Sequence, residues 1–242
     1  MTRVHPIAAS VFIVFAGVCA FAQQGAAPAA PAAPRAPAPA RGRAPLFFHE
    51  EWKQTPAGGE HPVTPESISN PNLELKLYGS TNKIGEVTPE KGVLLTGSAT
   101  DETNPTHVWT GMCTTPCAVA FRDKNNFADL SGLSRIKWVT KVSGFHQVRP
   151  IVKLADGTWL VGDHTDGSTL DWLTSEFSLA DVRWLRLDIN NVVTKGNFVE
   201  KPDLTKVDEI GFADLLPGSG HGAGGWMDVA AIDVYGKTVK RQ

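Results

Sequence analysis

Between positions 46 and 242, apolar and polar side chains alternate in short runs, and no long stretch repeats apolar residues at a helical period. Positions 73–78, 136–142 and 183–189 alternate cleanly. Positions 93–95, 108–110 and 118–121 are shorter candidates, and 229–235 reads as the closing strand. Gly, Asp, Asn and Pro bound these runs, as expected of strands joined by turns. Eight or more strands at a spacing of roughly 10–20 residues, without crossover helices, predict an all-β fold, an antiparallel β-sandwich. The helical hints are confined to 179–182 and 202–205.

One hairpin can be written residue by residue. Asp156-Gly157 suits a two-residue type I′ turn, whose centres both need positive φ. That register sets Val152 opposite Val161 and Val148 opposite Thr165 on a core face. The other face then carries Gln147 and Arg149, with Arg149 directly across from His164. A turn of another length would flip the second strand. Parity in 183–189 puts Leu185, Leu187 and Ile189 on the core side and Trp184, Arg186 and Asp188 on the other. A Trp beside an Arg on a non-core face suits a sugar, because the indole stacks on the C–H face of a pyranose while charged groups bond its hydroxyls. Packing under a loop is the plainer use of such a Trp.

Composition divides the chain. Overall, 23 Lys+Arg stand against 25 Asp+Glu, a formal net charge of -2. Arg3, an apolar stretch over 7–20 and Ala20-Phe21-Ala22 read as a secretory signal peptide, residues 1–22. The apolar stretch is too short for a bilayer span; a retained anchor and a lipoprotein site at Cys19 are the alternatives. Residues 23–45 are Pro/Ala-rich, with Arg35, Arg41 and Arg43 as their only charges, and read as a disordered linker with extended stiffness. What remains, 46–242, is expected to be a single domain holding 19 basic against 25 acidic side chains, a charge near -6. That balance argues against nucleic acid as a partner, and no transmembrane segment follows signal cleavage. The expected location is secreted or periplasmic.

Cys113 and Cys117, spaced C-x3-C, are expected to form a disulfide in an exported protein. Free thiols, redox use or metal binding are the alternatives. Asp163-His164-Thr165-Asp166 sets an imidazole between carboxylates, which serves a general base, a ligand contact or simply a loop. The glycine-rich segment 216–226 lacks the Lys-Ser/Thr of a phosphate loop and the spacing of a serine elbow. It brings His221 and Trp226 toward the sandwich edge, or is only a flexible connection.

Two segments resemble the galactose-binding-like β-sandwich, the jelly-roll fold common among carbohydrate-binding modules. The first, 129–138, carries Asp129-Leu130-Ser131-Gly132 leading to Ile136 and Trp138. The second runs from Val207 to Phe212 and ends with Ile232-Asp233-Val234-Tyr235-Gly236. The resemblance covers roughly half of the domain and raises the expectation of glycan binding, although the fold hosts many functions. Modules of this kind often carry a structural calcium, although no cofactor is required. The carboxylates for that ion would be Glu50 or Glu51 and Asp228 or Asp233, with Glu51 and Asp233 taken as the metal pair.

The sequence therefore points to an exported, non-catalytic binding domain for a saccharide or cell-surface glycan. The expected contact residues are Arg149, His164, Trp184, Arg186, Gln147 and His221. The alternatives are a glycan lyase or hydrolase using His164 and Arg149, and a structural envelope protein that contacts other proteins.

Overall fold

The computed structural model describes residues 42–53, 59–80 and 86–241. The expected signal, 1–22, and the linker as far as residue 41 lie outside them. Among the described residues no helix is long and apolar enough to cross a membrane.

Seven strands build one antiparallel sheet: β1 (Leu46–Glu50), β2 (His61–Pro62), β4 (Leu94–Thr96), β5 (His107–Trp109), β8 (Arg135–Val142), β11 (Leu173–Ser178) and β15 (Met227–Tyr235). Nine build the other: β3 (Leu73–Gly79), β6 (Cys117–Asp123), β7 (Asn126–Asp129), β9 (Arg149–Leu154), β10 (Trp159–Gly162), β12 (Trp184–Asp188), β13 (Val193–Val199), β14 (Val207–Asp214) and β16 (Lys237–Lys240). The first sheet runs β11-β8-β15-β5-β4-β2, with β1 also on β15. The second runs β13-β12-β10-β9-β14-β6-β3, with β7 and β16 beside β14. This is the expected antiparallel sandwich. The 3-10 turn Pro65–Ser67 and the short helix α1 (Pro89–Gly92) are the helical elements among the described residues. Segments 179–182 and 202–205 are turns or irregular. From these segments Leu179 and Leu204 pack into the core.

Alternation decides what lies between the sheets. In β8, Ile136, Trp138, Thr140 and Val142 are buried while their neighbours stay half-exposed. They meet Val119, Phe121, Val152, Leu160, Ile210 and Phe212 from the nine-stranded sheet in one continuous core. That sheet also buries a second cluster on its outer face: Ala118, Ala120, Ile151, Trp159, Val161, Leu187, Val192 and Ala213. Its central strands are therefore apolar on both sides. This explains why 118–121 reads as a continuous apolar run.

The second cluster corrects two sequence expectations. Leu185, Leu187 and Ile189 do share a face, but it is the outer one. Trp184 points into the main core and is 2% exposed, so it is no surface platform. Parity grouped the residues correctly; with both faces apolar, it could not say which was inside. The hairpin register is displaced by one residue, with Leu160 opposite Val152 and Val161 opposite Ile151. The turn takes three residues: the Leu154 amide bonds the Thr158 carbonyl at 2.8 Å, and Gly157 sits at φ 88°. A three-residue loop closed by a glycine in the left-handed region replaces the type I′ turn. Trp159 and Val161 consequently face outward while Val152 and Leu160 face inward.

The expected disulfide is also corrected. Cys113 and Cys117 are free thiols, both buried. A hydrogen bond with Cys113 and burial together hold the Cys117 thiol well above its ordinary pKa.

Candidate functional site

Four adjacent strands of the seven-stranded sheet send side chains to its outer face at one place. Strand alternation puts Val108 inward, so His107 and Trp109 point outward. Asp228 pairs with Trp109 on one side and with Lys141 on the other, and Thr96 pairs with His107. These five residues form the floor of a depression of about 240 Å3. Its walls are loops: Trp172 ahead of β11, Asn104 ahead of β5, Glu60 ahead of β2, and His221 and Trp226 from the glycine-rich connection between β14 and β15.

The aromatic groups are fixed by one another. His221 stacks on Trp109 with ring centroids 4.6 Å apart, and Trp226 meets Trp109 edge-on at 6.4 Å. Trp172 is edge-on to His107 at 5.0 Å, and its indole N–H donates to the Thr103 carbonyl at 3.2 Å. Trp109 is almost fully buried, whereas Trp172 and Trp226 keep part of their surface in water.

Backbone hydrogen bonds tie the glycine-rich segment to the loop that follows β5. The Gly218 and Gly220 amides donate to the carbonyls of Cys113 and Gly111, at 2.7 and 2.8 Å. Gly225 lies at φ 102°, and a Cβ there would collide with the Ser143 carbonyl. Only glycine allows that approach, and it sets the position of Trp226.

Asp228 dominates the electrostatics of the floor. Burial pushes its carboxyl up to about 7, against a hydrogen bond from Trp226 and the charge of Lys141. Its Oδ1 has no hydrogen-bond partner. Burial also holds His107 below the ordinary histidine value, with Lys141 adding to the effect and a hydrogen bond to Pro105 opposing it. A buried carboxyl, a buried imidazole and two accessible indoles in one concavity can exchange hydrogen bonds with hydroxyls and stack on an apolar ring face.

The expected contact residues divide between places. His221 lies in this depression. Gln147 and Arg149 line a separate concavity with Phe145 and Leu216. Arg149 does not face His164: it shares the outer face of its sheet with Ile151, while His164 stacks on the core residue Phe177 at 3.7 Å. The one-residue register change accounts for the separation. His164 Nε2 stands 3.4 Å from Asp166 Oδ1, and Asp166 Oδ2 accepts from Trp138 Nε1 at 2.6 Å and from Ser175. That network braces the sandwich. Trp184 is core, and Arg186 is exposed on β12. Sequence parity alone could have found His107 and Trp109 on one face of a His-Val-Trp strand. The contributions of Trp172 and Glu60 come from loops and leave no periodic signal.

The residues expected to hold calcium do not fit that ion. Glu51 and Asp233 flank His49, at 3.3 and 2.5 Å from its two ring nitrogens. Burial disfavours the imidazolium, but Asp233 and Glu51 outweigh it and raise the pKa of His49. The alternative, Glu50, is buried and accepts backbone amides of Trp52, Ser69 and Asn70 at 2.6–2.9 Å. Calcium takes six to eight oxygens. Among the described residues no three His, Cys, Asp or Glu side chains are grouped to hold a metal.

Neither a protein-family model nor a curated protein matches the chain. Among solved structures it is similar to the family 11 carbohydrate-binding module of the cellulosomal cellulase Lic26A-Cel5E of Clostridium thermocellum. Identity is 19% and the TM-score 0.42, over 75% of this chain and 97% of that one. A family 11 module from Clostridium thermocellum in complex with a β-1,3-1,4-mixed-linked tetrasaccharide gives 18% and 0.41, over 77% and 100%. The Emp47p carbohydrate recognition domain gives 8% and 0.33, over 73% and 94%. The functional reading rests on the chain's own side chains.

Proposed function

We propose that the domain is an exported, non-catalytic saccharide-binding module whose binding surface is the depression lined by Trp172, Trp226, His107, His221 and Asp228. The observation that carries this reading is two partly exposed indoles over a floor of titratable donors and acceptors, with a buried carboxylate oxygen that accepts no hydrogen bond. An indole face covers the C–H side of a pyranose, and Asp228, His107 and Lys141 bond its hydroxyls. The volume suits one or two sugar units of a longer chain rather than a deeply enclosed small molecule. Calorimetry of the full chain against neutral β-1,4-linked tetrasaccharides tests it. Binding in the micromolar to millimolar range that Trp172→Ala weakens at least tenfold is the expected result; absence of binding by a folded protein overturns it.

A second reading is glycan cleavage, favoured by one observation: the buried carboxyl of Asp228 is poised near neutrality, as a general acid must be. The second carboxylate of the depression, Glu60, is held 3.2 Å from His221 Nε2. Product release that Asp228→Asn abolishes, with binding retained, would favour this reading over the first.

A further inference from the structure

The glycine-rich connection has a second concavity on its other flank. Its walls are Phe145, Gln147, Arg149, Asp214, Leu215 and Leu216, and its volume is about 220 Å3. Backbone bonds join the two places: the Ser143 amide donates to the Trp226 carbonyl at 2.9 Å, and the Phe145 amide to the Gly224 carbonyl. The connection thus runs between the aromatic depression and the loop that carries Phe145.

The side chains of this concavity are an unusual set. Phe145 is 86% exposed, its ring standing in water with no core to fill. Arg149 is half-buried, and its Nε donates to the Gly162 carbonyl at 3.0 Å. That bond fixes the guanidinium plane and leaves the two terminal nitrogens for other partners. No described carboxylate forms an ion pair with it. Asp214 is in the same wall, but Oδ2 is taken by His146 at 2.6 Å and Thr110 at 3.1 Å, and Oδ1 by the Leu216 amide. Asp163 acts on Arg149 through space, yet it is bound to Arg183 at 2.7 Å. Burial accordingly lowers the proton affinity of Arg149, with only Asp163 opposing. A partly desolvated cation without an ion-pair contact of its own gains most from an anion that supplies one.

We infer that this concavity is a subsite for an acidic sugar, with Arg149 gripping the carboxylate of a uronic acid while Phe145 stacks on its ring and Gln147 bonds a hydroxyl. The planar fork of a guanidinium matches a carboxylate by two parallel hydrogen bonds. The inference deepens the saccharide reading and rests on it: the ligand becomes a chain in which at least one unit is a uronate.

The test compares backbones that differ only at C6. The full chain is titrated with β-1,4-linked glucose and glucuronate tetrasaccharides, and with the mannose and mannuronate pair, at two salt concentrations. The expected result is at least tenfold tighter binding of a uronate member, weakening with salt. Arg149→Gln removes that preference without changing the affinity for the neutral partner or the melting temperature. Arg149→Lys restores only part of it, because a point charge lacks the fork. Equal binding of both members, or a preference that survives Arg149→Gln, overturns the uronate subsite and leaves the saccharide reading standing. A sulfated glucose tetrasaccharide preferred to both uronates also overturns it. If neither member of either pair binds the folded protein, both readings fall. Should Arg149→Gln unfold the domain, Arg149→Lys carries the comparison, a reduced uronate preference at unchanged neutral affinity being expected and an undiminished preference overturning the subsite.

Discussion

The Nε2 atom of His107 faces Oδ1 of Asp228 across 3.7 Å, between neighbouring strands β5 and β15. His107 Nδ1 lies 2.7 Å from the Pro105 carbonyl, which can only accept, so Nδ1 carries the proton and Nε2 offers a lone pair. The gap is too long for a direct hydrogen bond. A ligand hydroxyl bridging the two atoms from the open side would donate to Nε2 and accept from Asp228 when that carboxyl is protonated.

The same burial makes stability depend on pH. The carboxyl of Asp228 titrates near 7 in the folded protein and near its ordinary 3.8 when unfolded. The stabilising proton is fully in place below the unfolded value and is lost as pH rises through the folded one. A shift of this size corresponds to roughly 4 kcal/mol. Relative to Asp228→Asn, the wild type should therefore weaken progressively between pH 4 and 7 and level off above. Chemical denaturation of both proteins across that range measures the difference, and a difference independent of pH would sink the assignment.

Trp184 and Arg186 separate core from surface within one strand. Trp184→Ala empties a site between the sheets and should cost about 3–5 kcal/mol. Arg186→Ala, at an exposed position, should stay within about 0.5 kcal/mol. Urea melts of the two variants decide it; a mild Trp184→Ala effect would return that ring to the surface.

Glu50 is the buried clamp of the N-terminal turn. Its two oxygens receive three backbone amides, and the Trp52 they position sits at φ 64° with its indole bonded to Val229. Glu50→Gln turns a donor group toward those amides and should cost about 2–4 kcal/mol, the penalty of one or two buried groups left unsatisfied. Because amides rather than oxygens fill this carboxylate, excess calcium or a chelator should leave the melting temperature unchanged. A calcium-dependent rise of several degrees would restore the metal.

Much of the sandwich was legible in the chain. Strands 73–78 and 136–142 have one wet and one dry side, and alternation located them to within a residue or two. It failed where both sides are dry, at Trp184 and in the Asp156-Gly157 hairpin. There, burial of Leu187 and Trp159 on the outer face removes the contrast on which parity depends. Of the candidate site, His221 was visible through its glycine setting, and Gln147 and Arg149 through their spacing on one strand. Trp226 was visible with His221, but the convergence of Trp172 and Asp228 on them was not, because it depends on which strands and loops are neighbours. Asp228 lies 119 positions from its partner Trp109, and no local pattern encodes that pairing.

Gly225 should couple the two concavities. Its positive φ and its approach to Ser143 leave no room for a methyl group. Alanine at a positive φ costs more than about 1 kcal/mol even without a clash; here the backbone of Ser143 must also move. The flanking bonds, Ser143 to Trp226 and Phe145 to Gly224, would shift together. Gly225→Ala is therefore expected to weaken binding of neutral and uronate tetrasaccharides alike, by tenfold or more. Arg149→Gln affects only the uronate, and His164→Ala, in the core network, lowers the melting temperature without altering affinity. Calorimetry and thermal melts on the three variants separate these patterns. Unchanged affinity in Gly225→Ala would show that the connection does not set the position of Trp226 in the site.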